Sequence, residues 1–193
     1  MGYNGPAMSF APVTLTLPAW IKALTGDPER VYRDPEERLR LTVELARRNV
    51  EHGTGGPFGA AVFDLSTGRL IAPGVNRVIP ESCSVAHAET MAIMLAQKRL
   101  GTFDLRSLGD YELATSAEPC AMCYGALPWS GVRRLAYGAS REDVLAIGFD
   151  EGDKPADWAA ALERRGIQVV QELLRAEARE ALECYQLRNG KIY

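Results

Sequence analysis

The chain contains the stretch His87-Ala88-Glu89 and, a strand and a loop later, the stretch Glu118-Pro119-Cys120-Ala121-Met122-Cys123. Cys120 and Cys123 are three residues apart at the start of a predicted helix, so both sulfurs point the same way. His87 begins a second predicted helix. Thiolates and imidazole are ligands that zinc prefers, and three protein ligands leave one coordination position open for water. His87, Cys120 and Cys123 therefore predict a zinc site of the catalytic kind, with one Zn²⁺ per subunit.

Glu89 follows His87 by two residues, near enough to reach the open coordination position. Zinc lowers the pKa of bound water toward neutrality, which makes a nucleophile available. A carboxylate beside the metal can take the proton from this water and deliver it to the reacting groups of a substrate. We therefore predict that Glu89 is catalytic.

The sequence allows other interpretations of these residues. A Cys-x-x-Cys pair alone could be a redox or structural element, and a single buried histidine is usually a core residue. Cys83 is close enough to His87 in sequence to be a fourth ligand. A redox site, however, would leave His87 and Glu89 without a role, whereas the combined pattern H-x-E…P-C-x-x-C is the signature of zinc deaminases.

The rest of the chain predicts an α/β fold. Asp34 and Pro35 are an N-cap and a first-turn proline, which start a helix that Gly53 ends. Strands are predicted over Phe58–Leu65, Leu70–Val75, Tyr111–Thr115, Val132–Tyr137 and Ile167–Val170. Further helices are predicted over Ala86–Arg99, Pro119–Trp129, Arg141–Ile147, Asp157–Arg164 and Ala176–Leu187. Strands alternating with helices after an opening hairpin predict three α/β/α layers around a central mixed five-stranded sheet.

Composition limits the domain organisation and the partners. Residues 1–30 are predicted to be an N-terminal arm, extended over the domain or a partner subunit, and residues 31–193 a single deaminase domain. The net charge is −3, and no basic stripe indicates nucleic-acid binding. The apolar N-terminus lacks a basic start and is broken by prolines, so we expect neither an export signal nor a membrane span. Four cysteines are too few for a disulfide framework, which favours the cytoplasm.

Beyond the metal motif, residues 55–151 resemble the guanine deaminase branch of the cytidine-deaminase-like superfamily, and the last five residues do so more weakly. The resemblance is carried by Gly55-Gly56-Pro57-Phe58-Gly59-Ala60-Ala61-Val62, Asn76, Thr115–Glu118, Trp129 and Ala146–Glu151. It implies a cytidine-deaminase-like fold and the conversion of guanine to xanthine and ammonia, with ammeline and related aminotriazines as further substrates.

The resemblance also implies roles for individual residues. Asn76 would hydrogen-bond the edge of the base, with the backbone of Ala60 nearby. Phe58 and Trp129 would pack on the ring faces, although either could be an ordinary packing residue. Glu151 would be a second acid in the proton relay. It stands where many members of the family carry Asp, and it could also be a plain loop acid.

The resemblance further implies a homodimer, in which exchanged C-terminal segments would let residues 149–151 or Tyr193 cap the neighbour's site.

The sequence is also compatible with three alternatives to guanine deamination. One is a tRNA adenosine deaminase, for which the acidic chain lacks the expected basic surface. The second is a deaminase of adenine, cytosine, cytidine, guanosine or a pterin. The third is a non-catalytic zinc module, which would have no use for Glu89.

Overall fold

A computed structural model describes residues 12–193. The strands are β1 (Gly59–Asp64), β2 (Leu70–Val75), β3 (Tyr111–Ala117), β4 (Arg134–Ala139) and β5 (Gln168–Val170). The helices are α1 (Ile21–Thr25), α2 (Pro35–Glu51), α3 (Ala88–Leu100), α4 (Ala121–Ser130), α5 (Arg141–Ala146), α6 (Trp158–Glu163) and α7 (Arg175–Leu187). A 3-10 turn covers Leu105–Ser107. Across residues 12–193, no helix is both long and apolar enough to cross a membrane.

The five strands form one sheet in the order β2-β1-β3-β4-β5. Strand β1 runs antiparallel to β2 and β3, whereas β3, β4 and β5 are parallel to one another. The predicted mixed five-stranded sheet is therefore confirmed. The antiparallel half comes from the hairpin that opens the domain, and the parallel half comes from the crossovers through α4 and α6.

Successive residues of β1 show how the sheet separates two cores. Ala60 and Val62 pack in one core with side chains of α3, α4 and α6. Ala61 and Phe63 point the other way and pack with Leu39 and other residues of α2. Side chains alternate between the faces of a strand, so a strand that is apolar at every position is covered on both faces. This arrangement confirms the predicted α/β/α layers.

The N-terminal segment differs from the extended arm predicted for residues 1–30. Ile21–Thr25 form helix α1, and the buried Ile21 belongs to the core on the α2 face. Burial of the apolar Ile21 side chain stabilises this arrangement, because removing apolar surface from water lowers the free energy. The part of the predicted arm in residues 1–11 lies outside the described residues.

Gly74 brings β2 into direct contact with the first turn of α3. A Cβ atom at position 74 would collide with the carbonyl oxygen of Ala88 and lie 2.6 Å from the backbone nitrogen of Ala92. Both atoms belong to the helix backbone, which cannot move aside as a flexible side chain can. The absence of a side chain at Gly74 therefore sets the height of α3, and of Glu89 on it, above the sheet.

We expect Gly74→Ala to lower the free energy of unfolding by about 1–3 kcal/mol, because the added methyl group overpacks the contact with α3. Denaturant unfolding measures this. Gly125→Ala is the matched control, since Gly125 lies in α4 with open space around it. That change should leave stability unchanged or raise it by about 0.5–1 kcal/mol. Equal stabilities of the two variants would contradict the tight contact.

Candidate zinc centre and active site

The predicted metal ligands lie at the N-terminal ends of two helices. His87 is the N-cap of α3, and Cys120 is the N-cap of α4. Both have extended backbones, which turn their side chains away from the helix axis. Helix α4 begins at Ala121, two residues after the predicted start at Pro119. Cys123 is therefore the third residue of α4, and its side chain faces the same space as that of Cys120.

The distances between the ligand atoms fit a zinc ion. The Nδ1 atom of His87 lies 3.5 Å from Sγ of Cys120 and 3.7 Å from Sγ of Cys123. Tetrahedral zinc with ordinary Zn–N and Zn–S bonds places nitrogen and sulfur about 3.5–3.6 Å apart. Within residues 12–193, these three side chains form the one such group of His, Cys, Asp or Glu, and Cys83 is not part of it. The group therefore forms a three-ligand zinc site.

The electrostatics of this group favour a thiolate at Cys120. Hydrogen bonds from Cys123 and His87 lower the pKa of the Cys120 thiol to about 4, although burial opposes the change. The pKa of Cys123 is raised by its hydrogen bond with Cys120 and by burial. Burial disfavours the charged form of His87, but its hydrogen bond to Cys120 and the nearby charge of Glu89 leave its pKa raised. The group thus holds a thiolate, which is the form of cysteine that binds metals.

Two buried acids lie beside the zinc ligands. Burial raises the pKa of Glu89, and the negative charge of Cys120 adds to the effect. Burial also raises the pKa of Glu151 to about 8, with further contributions from the charges of Cys120 and Glu89. The carbonyl oxygen of Glu151 accepts a hydrogen bond of 2.9 Å from the backbone nitrogen of Ala121, which fixes the Glu151 loop to the start of α4. Carboxyl groups in such surroundings can hold and release protons near neutral pH.

Unpaired polar atoms mark a binding space next to these acids. Among the described residues, four buried side-chain atoms have no hydrogen-bond partner: Nδ2 of Asn76, Nε of Arg77, Oε2 of Glu151 and the hydroxyl of Tyr193. A Cβ atom at Gly56 would collide with the Tyr193 hydroxyl and lie 3.3 Å from Oδ1 of Asn76, so these groups lie together. The charge of Glu89 raises the pKa of Tyr193 after the larger effect of burial, which connects this space with the zinc group. Buried polar atoms without partners are rare and point to a ligand.

Two further residues that were predicted to contact the base, Phe58 and Ala60, lie in different surroundings. Phe58 packs edge to face on Phe149 with ring centroids 5.1 Å apart, and Phe149 makes the same kind of contact with Tyr193. Phe58 thus borders the site as part of an aromatic cluster. Ala60 lies in β1, in register with Gly74 and Thr115, and its side chain is buried in the core. Only its backbone could contribute to binding.

Trp129 is not brought to this site within the chain. Its side chain is 79% exposed and lines a surface cavity with Ile93 and Phe103. The reason is helical geometry, because Trp129 follows Cys123 by six residues and so points about 120° away around α4. Trp129 therefore does not reach the site of its own chain, and its packing on a ring face stays a prediction.

Tyr193 lies at the site of its own chain, where its hydroxyl is beside Gly56. The sequence left open whether the C-terminus caps its own site or a neighbouring one. The exchange of C-terminal segments stays a prediction. After α7 the tail turns back and is held by a hydrogen bond of 2.7 Å from the Tyr185 hydroxyl to the carbonyl oxygen of Lys191. In the sequence, two features indicated that the tail turns back toward the site: Asn189-Gly190, which is typical of a turn, and the aromatic residue at the end.

The fold and the site together define a zinc-dependent aminohydrolase. Residues 33–139, more than half of the chain, match the cytidine and deoxycytidylate deaminase zinc-binding region. The chain belongs to this family, as its motif and sheet predicted.

Known proteins narrow the similarity to one branch of that family. A guanine deaminase from Bacillus subtilis is 41% identical over 128 residues, which cover 63% of this chain and 79% of that protein. The solved structure of NE0047 in complex with 2,6-diaminopurine has a TM-score of 0.89 and 49% identity, over 94% of this chain and 96% of that one. A guanine deaminase structure from Nitrosomonas europaea has a TM-score of 0.86 and 46% identity, over 95% of this chain and 100% of that one.

We expect substitution of a metal ligand to abolish zinc binding, and substitution of Glu89 to abolish turnover while zinc stays bound. His87→Ala, Cys120→Ala and Cys123→Ala should each reduce zinc to below about 0.1 per chain, since two ligands are too few for a stable site. Glu89→Gln should retain about one zinc per chain and lose at least about 10³-fold in kcat, because it removes the proton carrier alone. Metal analysis and ammonia release measure the two properties. A Glu89→Gln protein with near wild-type kcat would contradict the assignment.

Proposed function

We propose that the protein hydrolyses guanine to xanthine and ammonia. The observation that carries the proposal is the set of unpaired polar atoms of Asn76, Glu151 and Tyr193 beside a three-ligand zinc group. A purine base presents both donors and acceptors along its edge, which such atoms can pair with. Support also comes from relatives named guanine deaminase and from the structural neighbour that holds 2,6-diaminopurine.

The reaction forms a bond from the oxygen of water to the ring carbon that carries the amine, and breaks the bond from that carbon to the amine nitrogen. Zinc, when bound by His87, Cys120 and Cys123, supplies Lewis-acid activation of the water. Glu89 takes the proton from water and gives a proton to the ring nitrogen. The raised pKa of Glu89 suits this task, because a carboxyl group that binds protons more tightly is a better carrier near neutral pH.

Glu151 is the second acid of the proposed relay. Its pKa of about 8 keeps it protonated at neutral pH, and its unpaired Oε2 is available to the substrate. A protonated carboxyl group can donate to the departing amine, which leaves as neutral ammonia, and the remaining proton of the added water then returns to Glu151 as the carbonyl of the product forms. The amide nitrogen of Asn76 has a donor free for the base, while its Oδ1 already accepts a hydrogen bond of 3.2 Å from the backbone nitrogen of Val78.

Enclosure of the site favours a free base over a nucleoside or an RNA. Asn76, Glu89 and Glu151 are all buried, and Tyr193 covers the space beside Gly56. A ribose or an anticodon loop attached to the base would have to pass through this aromatic cover. The net charge of −3 gives no counterpart for a phosphate backbone. The cytoplasmic location predicted from the sequence stays a prediction.

A homodimer is part of the proposal, and an exposed apolar surface supports it. Phe103 is 86% exposed and borders the same cavity of about 830 Å³ as the exposed Trp129. Met94 and Leu108 are further exposed apolar residues on α3 and beside the 3-10 turn. Aromatic residues grouped in this way are typical of protein interfaces. We propose a second copy of the chain as the partner that covers them.

The substrate is tested by ammonia release from zinc-loaded protein with guanine, ammeline, adenine, cytosine, guanosine and isoguanine. We expect guanine to be the best substrate, with kcat/KM at least about 100-fold above adenine, cytosine and guanosine, because unpaired buried polar groups discriminate strongly. The zinc-retaining Glu89→Gln protein is the negative control. Release from no base would overturn the enzyme assignment, and guanosine exceeding guanine would overturn the choice of a free base.

The dimer is tested by light scattering after size-exclusion chromatography. We expect wild-type protein to have the mass of two chains and Phe103→Arg/Trp129→Arg to shift to one chain, because buried charges without partners destabilise an interface. Leu187→Arg is the control, since Leu187 is equally exposed but lies at the end of α7. A wild-type monomer, or a double variant that remains dimeric, would refute this surface as the interface.

A further inference from the structure

Asn49 lies at the centre of a hydrogen-bond network behind the proposed base-binding groups. It is a fully buried residue of α2, outside the zinc motif. Its Nδ2 atom donates to the carbonyl oxygen of Gly56 at 2.8 Å and to that of Asn76 at 2.9 Å. One side-chain amide therefore joins the two backbone segments that meet at the Tyr193 hydroxyl.

The other end of the Asn49 amide is tied to the N-terminal segment. Its Oδ1 atom accepts a hydrogen bond of 2.7 Å from the Thr54 hydroxyl, which in turn accepts one of 3.1 Å from the indole nitrogen of Trp20. The Trp20 ring also stacks on His52, with centroids 5.4 Å apart. Trp20 precedes α1, so the network connects the segment before the domain to the base-binding space.

The geometry around this network leaves little freedom. A Cβ atom at Gly55 would collide with the carbonyl oxygen of Asn76 and lie 2.7 Å from Nδ2 of Asn49. The side chain of Arg77 donates to the carbonyl oxygen of Thr54 and forms an ion pair of 2.8 Å with Glu81. Glu81 also accepts a hydrogen bond of 3.1 Å from the hydroxyl of Thr16. The loop after Gly53 is thus held from two directions by residues that do not touch the zinc group.

We propose that Asn49, Thr54 and Trp20 are positioning residues that set the affinity for the base by holding Asn76 and Gly56 in place. This gives the N-terminal segment a role in substrate binding without contact with the substrate. The inference rests on the proposed function, because it takes Asn76 as a base-binding residue. An interaction that binds substrate and transition state alike acts on KM, so loosening Asn76 should change KM more than kcat.

The test compares Thr54→Val, Thr54→Ser and Trp20→Phe. Trp20→Phe removes one hydrogen bond, from the indole to Thr54, and retains the stacking on His52, whereas Thr54→Val removes that bond and also the one from its hydroxyl to Asn49. We expect the KM for guanine to rise about five- to tenfold in Trp20→Phe, on the scale of one lost hydrogen bond, and by more in Thr54→Val, with kcat within about twofold of wild type in both. Thr54→Ser keeps the hydroxyl and should restore the wild-type KM. Asn49→Asp removes both amide donors and should have the largest effect where it folds.

Thr42→Val is the matched control. Thr42 is also buried in α2, but its hydroxyl donates to the carbonyl oxygen of Leu39 at 2.8 Å and not to the loops of the site. We expect it to lower stability without changing KM, which separates positioning from general destabilisation. A rise in KM in Thr42→Val equal to that in Thr54→Val, or no rise in the network variants, would overturn the inference.

Hydrogen exchange of the substrate-free protein gives a second readout. We expect Thr54→Val to speed amide exchange in the segments 55–58 and 76–78, and Thr42→Val to leave both unchanged. This measurement does not depend on which base is the substrate. Wild-type protein inactive on guanine would therefore refute the proposed function, while unchanged exchange in Thr54→Val would refute the positioning role.

Discussion

The meeting of two helix N-termini on one face of the sheet is the constraint on which the rest of the structure depends. His87 and Cys120 are both N-cap residues with extended backbones, which lets their side chains leave the helices toward each other. Helix N-termini carry a partial positive charge that favours thiolates. The site therefore depends on the heights of α3 and α4 above the sheet. Gly74 controls the first of these by allowing β2 to touch the helix backbone.

Charge balance explains why this arrangement favours a bound cation. The Cys120 thiolate lies beside Glu89 and Glu151, where its charge raises the pKa of both carboxyl groups, and the charge of Glu89 adds to the effect on Glu151. Uncompensated buried charges are expensive, so a protein retains such a group only where something binds to it. A divalent metal ion held by His87, Cys120 and Cys123 would compensate the thiolate charge. Glu89 and Glu151 would then be the groups free to exchange protons in the proposed hydrolytic deamination.

The sequence predicted those site residues that lie close together in the chain. His87, Glu89, Cys120 and Cys123 lie in two short stretches whose helical context is readable, and the structure brings the three metal ligands together. Helix starts and strand alternation likewise predicted the layered sheet. Tyr193 could not be placed in this way, because its position depends on the turn after α7 and on packing against Phe149. The exposure of Trp129 depends on the rotation of α4, which a motif does not specify.

The face of the sheet opposite the zinc helices has a supporting role that no motif revealed. There α2 carries Arg38, which forms a buried ion pair of 2.7 Å with Glu112 at the start of β3, and Asn49, which joins the loops of Gly56 and Asn76. Removing one partner of such a pair leaves a buried charge, so both are required together. The same helix thus holds the central strand at one end and the loops of Gly56 and Asn76 at the other. With the proposed role of Asn76 in binding the base, this helix couples substrate affinity to stability, because Asn49 ties the backbone of Asn76 to α2.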